Sequence, residues 1–247
     1  MFVFVVIAIM ILYVLTRLRI VGFLSWLLFA LIWLEKIPYY LSIYDYYNTS
    51  IMFLAFVFFT LIALTILKSG SVVFVMVTIL AAVSSLIYFL FTIPLLKDML
   101  IKHTIFMTVN LANSLGFEFT SSDNFIYYNG RRVEIILACT GIESMALFSA
   151  ILFSVNAEIR RRIAAFLISV PVIYVLNLLR NIFIVAAFGE NWFGENSFYV
   201  AHHVISKVLA TFALILISLG VFKILPEVAD MIVNLKNELV RTWRKSD

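Results

Sequence analysis

The sequence predicts an all-α polytopic membrane protein with about seven transmembrane helices and a short extracytoplasmic β-hairpin before the fifth. Of its 247 residues, 64% are hydrophobic and 13% are charged, whereas a soluble domain is about half apolar and a quarter charged. The apolar residues also cluster into runs that approach the roughly 20 residues a transmembrane helix needs. A third observation, an Asn-Gly pair between two β-prone segments, predicts the hairpin.

Seven apolar runs mark the predicted spans of one integral membrane domain, residues 1–247. The runs are 2–15, 20–34, 51–67, 72–96, 140–155, 163–188 and 198–222. The first is expected to be a retained span, because it has neither a basic n-region nor a small-residue cleavage site. An outer loop at 97–138 and a cytoplasmic tail at 223–247 complete this organisation.

The positions of lysine and arginine predict the orientation, because cytoplasmic loops are enriched in these residues. With seven spans, most basic residues fall on one side, namely Arg17, Arg19, Lys68, Arg160, Arg161, Arg162, Lys223, Lys236, Arg241, Arg244 and Lys245. The other side has fewer, namely Lys36, Lys97, Lys102, Arg131 and Arg132. The sequence therefore predicts a multi-pass protein of the cell membrane with a cytoplasmic C-terminus. The formal charge of +4 is explained by this topology, and no nucleic-acid partner is expected.

The outer loop 97–138 has two parts. In the first, apolar residues recur at helical spacing between Ile101 and Ala112, which predicts an amphipathic helix on the membrane or an extension of the fourth span. In the second, Asn129-Gly130 separates Phe125–Tyr128 from Arg131–Ile136, a strong hairpin signal. The outgoing strand leads directly to Cys139.

Cys139 is the only cysteine, so it is either an inert core residue or a nucleophile. Its predicted position at a helix start favours the thiolate, because helix N-termini are electropositive. Thr140 and Gly141 follow it, and a glycine there would let a ligand approach the backbone. Glu143 lies one turn further on and could equally serve catalysis or complement the helix dipole.

Two further polar features are predicted at similar depth. Arg180 lies about 12 Å below the outer membrane surface, from eight residues at 1.5 Å each, and is flanked at helical spacing by Asn177 and Asn181. An intramembrane arginine usually indicates function, although snorkelling or helix packing would also explain it. The pair His202 and His203 opens the last span, where interfacial histidines are common. A thiol, a guanidinium and an imidazole together can supply a nucleophile, a charge stabiliser and an acid/base.

Three motifs in this order resemble those of the exosortase/archaeosortase family. They are Ala-Cys-Thr-Gly-Ile at 138–142, Asn-x-x-Arg-Asn at 177–181 and His-x-Val-Ile-Ser-Lys at 202–207. The resemblance covers roughly residues 125–220, and the first four spans match only in hydropathy. Ser206 is a departure, because the family usually has glycine there, and this leaves the choice between His202 and His203 open.

The resemblance implies a membrane-embedded cysteine protease/transpeptidase. Its substrates would be secreted surface proteins with a C-terminal motif, a hydrophobic helix and a basic tail. The enzyme would cut near the motif on the extracytoplasmic face, form a thioester and pass the new C-terminus to an acceptor, a membrane lipid. By position, Cys139 matches the family nucleophile, Arg180 its arginine and His202 its third residue.

Three other classes of function fit parts of this sequence. A transporter or channel could use Arg180 to bind an anion, but it should have polar residues along a whole pore, and the inner halves of the spans are almost wholly apolar. A scaffold protein would have an inert Cys139. Another type of intramembrane enzyme, such as an acyltransferase or a metalloprotease, is disfavoured. The sequence does not contain the metalloprotease motif His-Glu-x-x-His. No cofactor or metal is expected.

Overall fold

The computed structural model describes residues 2–244, which are mostly helical. Backbone contacts divide the chain into two compact units. Of the described residues, the first contains 2–86, 153–156 and 227–244, and the second contains 87–152 and 157–226. The single integral membrane domain stays a prediction. Lys245, counted in the predicted cytoplasmic tail, lies outside the described residues.

The helices and strands follow in chain order. They are α1 (Phe2–Thr16), α2 (Arg19–Ser42), α3 (Tyr46–Lys68), α4 (Val72–Leu90), α5 (Pro94–Ser114), β1 (Thr120–Ser122), β2 (Phe125–Tyr128), β3 (Arg131–Glu134), a 3₁₀ turn (Leu137–Thr140), α6 (Ile142–Ser154), α7 (Ile159–Gly189), a second 3₁₀ turn (Gly194–Asn196), α8 (Ser197–Tyr199), a π-helix (Val200–Ile205), α9 (Ser206–Ile224) and α10 (Pro226–Arg244).

Within residues 2–244, five segments are long and apolar enough to cross a membrane: α2, α3, α4, α7 and the stretch Gly194–Ile224. The protein is therefore a multi-pass membrane protein. The other two predicted spans correspond to α1 and α6, which are apolar but have only 15 and 13 residues. A total of about seven spans stays a prediction for these two helices.

Two predicted boundaries differ clearly from the structure. The second run was predicted to end at residue 34, but α2 continues to Ser42 and contains Pro38, because helix formation does not require continued hydropathy. The fourth run was predicted to reach residue 96, but α4 ends at Leu90 and α5 begins at Pro94. Ile93 is extended, with φ −64° and ψ 128°, as expected for a residue that precedes proline.

In the first unit, side chains connect helices that are distant in sequence. The Trp26 indole donates to the Thr78 hydroxyl at 2.8 Å, which joins α2 to α4. The Trp243 indole of α10 donates to the Thr65 hydroxyl of α3 at 3.1 Å, and Lys68 lies 4.1 Å above the Trp243 ring. The described part of the predicted tail from Pro226 to Arg244 thus forms a helix attached to α3.

In the second unit, the predicted strand pairing is present within a larger sheet. β2 and β3 are antiparallel, with Tyr128 opposite Arg131, and the turn residues Asn129 and Gly130 both have positive φ, as a tight hairpin requires. An additional strand, β1, pairs with β2. The side of the membrane on which this sheet lies stays a prediction.

The sheet packs on α5 and α7 through one apolar core. Its buried members come from α5, the sheet and α7: Ile101, Ile105, Ala112, Phe119, Ile126, Val133, Ile135, Ile182, Val185 and Ala186. Cys139, Phe188 and Phe198 pack against the same cluster. This core therefore sets the positions of the segments that contain the predicted catalytic residues.

Candidate functional site

Cys139 lies in the 3₁₀ turn between β3 and α6. The turn begins after the extended residue Ile136, whose carbonyl accepts from the Cys139 amide at 2.8 Å. The Thr140 hydroxyl donates to the Leu137 carbonyl at 2.7 Å and tightens the turn. The sequence predicted the cysteine at a helix start, and the structure places it three residues before α6.

Gly141 connects the turn to α6 in a left-handed conformation, with φ +76°, which glycine adopts without penalty. A Cβ atom at this position would lie 3.2 Å from Cγ of Asn177. The glycine therefore also allows α7 to approach the turn closely. The sequence predicted that this glycine lets a ligand approach the backbone, and that role stays a prediction.

Asn177 and Asn181, the Asn pair, fix the Cys139 turn to α7. Their side-chain amides donate to the carbonyl oxygen of Cys139 at 2.6 Å and 3.0 Å respectively. Residues four apart lie on one helix face, so both amides reach the same acceptor. Both side chains are buried, and the two bonds satisfy a backbone carbonyl that the turn itself leaves without a partner.

Arg180 lies between the members of the Asn pair on α7. Its guanidinium interacts electrostatically with the Cys139 thiol. Its Nε atom is buried, and no hydrogen bond from it is present within residues 2–244. Arg180 is thus a positive charge whose field reaches the thiol, with a donor still available. Its role as a charge-stabilising group stays a prediction.

The electrostatic environment of Cys139 has opposing effects. Burial raises the pKa of the thiol above its ordinary value, while a hydrogen bond with the Ile136 backbone and the charge of Arg180 oppose this rise with smaller effects. Glu134 adds slightly to the rise. The resting side chain is therefore a protonated thiol at neutral pH, and any attack by its sulfur requires a group that takes the proton.

His202 and His203 lie in the π-helix Val200–Ile205, a rare form that is frequent at functional sites. The His202 ring stacks on Phe198, with ring centroids 5.2 Å apart and an angle of 14°. The His203 ring stacks instead on Tyr199 at 5.4 Å. Since Phe198 and Cys139 pack against the same core, that core connects the segments of His202 and Cys139. Their direct approach stays a prediction.

Glu143 lies in the first turn of α6 and is exposed, and a catalytic role for it stays a prediction. The structure thus brings together Cys139, Gly141, Asn177 and Asn181, and the charge of Arg180 acts on the thiol. Within residues 2–244, no group of three or more His, Cys, Asp or Glu side chains could hold a metal ion.

Comparison with known proteins gives a consistent result. The family model described as Transmembrane exosortase (Exosortase_EpsH) matches residues 1–219. Archaeosortase A of Haloferax volcanii is 28% identical over 245 residues, covering 84% of this chain and 81% of its own length. Archaeosortase A of Natronomonas pharaonis is 26% identical over 239 residues, covering 84% of this chain and 76% of its own. No solved structure gives a significant match.

The family match extends well beyond the three motifs, since it includes the first four predicted spans, which the motif resemblance did not cover. The chain belongs to the transmembrane exosortase family.

Proposed function

We propose that this protein is a membrane-embedded cysteine protease/transpeptidase. It cuts the C-terminal sorting signal of secreted surface proteins through a thioester on Cys139 and transfers the new C-terminus to an acceptor, a membrane lipid. The family match and the two archaeosortase A relatives support this reaction class. The observation that carries the proposal is the attachment of the Cys139 turn to α7 by the Asn pair.

This attachment suits a nucleophile rather than an inert core cysteine. An inert cysteine needs only apolar neighbours, and its turn needs no dedicated support. Here two buried amides bind one carbonyl, and a left-handed glycine allows the close approach. Such preorganisation keeps a reacting atom in place, and misplacement by 1 Å can cost about 100-fold in rate.

In the proposed reaction the Cys139 proton moves to His202 as the sulfur attacks a peptide carbonyl of the sorting motif. The carbonyl π electrons become an oxyanion, which Arg180 stabilises with its charge and its available Nε–H group. Collapse breaks the C–N bond and leaves a thioester. The departing amine takes the proton from His202. Arg180 does not act as a base, because guanidinium stays protonated at ordinary pH.

The second half-reaction restores the enzyme. His202 takes a proton from the acceptor, which attacks the thioester carbonyl, and the C–S bond breaks as the new product bond forms. The proton returns to the sulfur, so the thiol is regenerated. We place this site on the extracytoplasmic face, where a substrate arrives after secretion and its hydrophobic helix can lie among the spans.

A Cys139→Ala variant tests the proposal, because it removes the nucleophile and little volume. Mass spectrometry of a surface-protein precursor is expected to show a mature C-terminus with the wild-type protein and an uncut precursor with the variant. Ser144→Ala, a substitution of similar size on α6, is the control and should process normally. Normal processing of the precursor by the Cys139→Ala variant would refute the proposal.

A second candidate function is anion binding at Arg180 by a transporter or channel. The buried Nε atom of Arg180, which has no hydrogen-bond partner among residues 2–244, favours it. This alternative predicts that Cys139→Ala leaves activity intact while Arg180→Gln removes anion-dependent thermal stabilisation. The transpeptidase predicts that both variants fail to process the precursor. Measuring precursor processing and anion-dependent thermal stabilisation on the same two variants distinguishes the two candidate functions.

A further inference from the structure

The Glu190 carboxylate connects two segments of the second unit through both of its oxygens. The Tyr128 hydroxyl of β2 donates to Oε1 at 2.7 Å. The Trp192 indole, in the connection after α7, donates to Oε2 at 2.6 Å. We call these three residues the Glu190 bridge. A carboxylate that accepts from two donors gains charge-assisted bonds, which are stronger than neutral ones.

The two segments joined by the bridge lead to the two predicted reacting groups. From Tyr128 the chain makes the hairpin turn, forms β3 and reaches Cys139 eleven residues later. From Trp192 it passes α8 and reaches His202 ten residues later in the π-helix. The bridge therefore lies where the sheet that carries the nucleophile meets the connection that carries the histidine.

Packing around the bridge fixes its geometry. The Tyr128 ring lies against Gly189, where an added Cβ would overlap a ring carbon, so only glycine admits the ring. Arg131 of the paired strand lies 4.6 Å above the Phe188 ring. Trp192 packs on Phe183, with ring centroids 5.9 Å apart. Both ends of the bridge are thus held against the last turns of α7.

We propose that Glu190 is a positioning residue that sets the separation of His202 and Cys139 by tying the hairpin to the α7–α8 connection. The inference rests on the proposed function, since the separation matters for proton transfer between these two groups. Proton transfer requires the donor and acceptor within hydrogen-bond reach. Glu190 itself is exposed and is not expected to touch the reacting atoms.

Three substitutions remove the bridge in different ways. Glu190→Ala deletes the acceptor, whereas Tyr128→Phe and Trp192→Phe each delete one donor and keep an aromatic ring. Glu195→Gln is the matched control, because Glu195 is an exposed acid in the same connection and is not part of the bridge. Each protein is assayed in membranes for precursor cleavage, for Cys139 alkylation by iodoacetamide and for hydrogen exchange of residues 131–140 and 191–203.

We expect Glu190→Ala to lower kcat about tenfold. Tyr128→Phe and Trp192→Phe should each lower kcat by a smaller factor, and KM should be unchanged in all three variants. These reductions correspond to misplacement of well under 1 Å. Hydrogen exchange should rise in both segments, while the rate of Cys139 alkylation, which does not need His202, stays at the wild-type value. Glu195→Gln should match the wild type in every measurement.

Two results would overturn the positioning role. One is full kcat in Glu190→Ala, and the other is an equal fall in kcat and in alkylation, which would indicate general damage to the Cys139 turn. If the wild-type protein cuts no precursor, the proposed function fails by itself. Hydrogen exchange then tests the bridge alone, and unchanged exchange in Glu190→Ala would refute it.

Discussion

At the scale of single residues, Cys139 combines a well-fixed backbone with a protonated side chain. The Asn pair binds its carbonyl oxygen rather than its sulfur, so the thiol stays available for chemistry. Burial raises the pKa of the thiol while Arg180 lowers it by a smaller amount. This balance makes a separate proton acceptor necessary, which is the role proposed for His202.

The raised pKa of Cys139 predicts how its reactivity depends on pH. Because only the thiolate is alkylated, the rate with iodoacetamide should still be rising at pH 9. Arg180→Gln removes a stabilising positive charge, so the pKa should rise further and the rate at any one pH should fall. Mass spectrometry of the only cysteine in the chain measures both rates. Lys102→Gln is the control, because Lys102 is an exposed cation on α5 and its removal should change neither the rate nor its pH dependence. An alkylation rate that reaches a plateau below pH 8 would contradict a raised pKa of the Cys139 thiol.

The Asn pair predicts a non-additive loss of stability. Asn177→Ala or Asn181→Ala alone should cost about 1 kcal/mol, because the Cys139 carbonyl keeps one donor. The double variant leaves that carbonyl unsatisfied and should cost about 3 kcal/mol, more than the sum of the single costs. Thermal unfolding in detergent measures the loss of stability of the three variants. Asn110→Ala is the control, because Asn110 is an exposed asparagine on α5. Simple additivity would show that the two amides do not share one acceptor.

At the scale of elements, the predicted strand–turn–helix arrangement around Cys139 holds in outline but differs in detail. Local patterns were sufficient to predict the β2–β3 pairing across Asn129-Gly130, because turn chemistry acts over a few residues. They missed the 3₁₀ turn and the π-helix, since both depend on packing against α7. The Glu190 bridge joins residues 62 positions apart, and a single sequence gives no signal for such a contact.

Gly141 provides a test of how this element depends on α7. Gly141→Ala should place a methyl group against Asn177, displace the Cys139 turn and lower the cleavage rate. Gly130→Ala is the control, because Gly130 has nearly the same φ, +73°, and an added Cβ there would meet no neighbouring side chain or backbone of the described residues within 4 Å. In both variants an alanine in the left-handed conformation should lower the stability by about 1 kcal/mol, which thermal unfolding measures. Equal cleavage rates in the two variants would show that the contact with Asn177 is unimportant.

At the scale of the whole molecule, hydropathy predicted that the chain spans a membrane several times but did not establish the number of spans. It placed the cores of α2, α3, α4 and α7 correctly, because apolar runs are the strongest local signal. It joined α4 to the start of α5, because hydropathy continues across the break before Pro94. It also gave no sign that α10 is a helix attached to α3 through Trp243.

The proposed orientation predicts opposite labelling of the sheet and of α10. In a Cys139→Ala background, Ser121→Cys on β1 should react with a membrane-impermeant maleimide in intact cells. Lys236→Cys on α10 should react only after permeabilisation, because the basic side of the chain is proposed to be cytoplasmic. Both positions are exposed, so access to the reagent depends on the side of the membrane. The reverse labelling would place the site in the cytoplasm.

The central claim is that Cys139 forms a thioester with the substrate, and interception by hydroxylamine tests it most directly. Hydroxylamine attacks the thioester carbonyl, so the cut surface protein should acquire a C-terminal hydroxamate that mass spectrometry detects. We predict this product with the wild-type protein and its absence with Cys139→Ala. Cleavage by the wild-type protein that never yields the hydroxamate, or a hydroxamate formed by Cys139→Ala, would contradict the account.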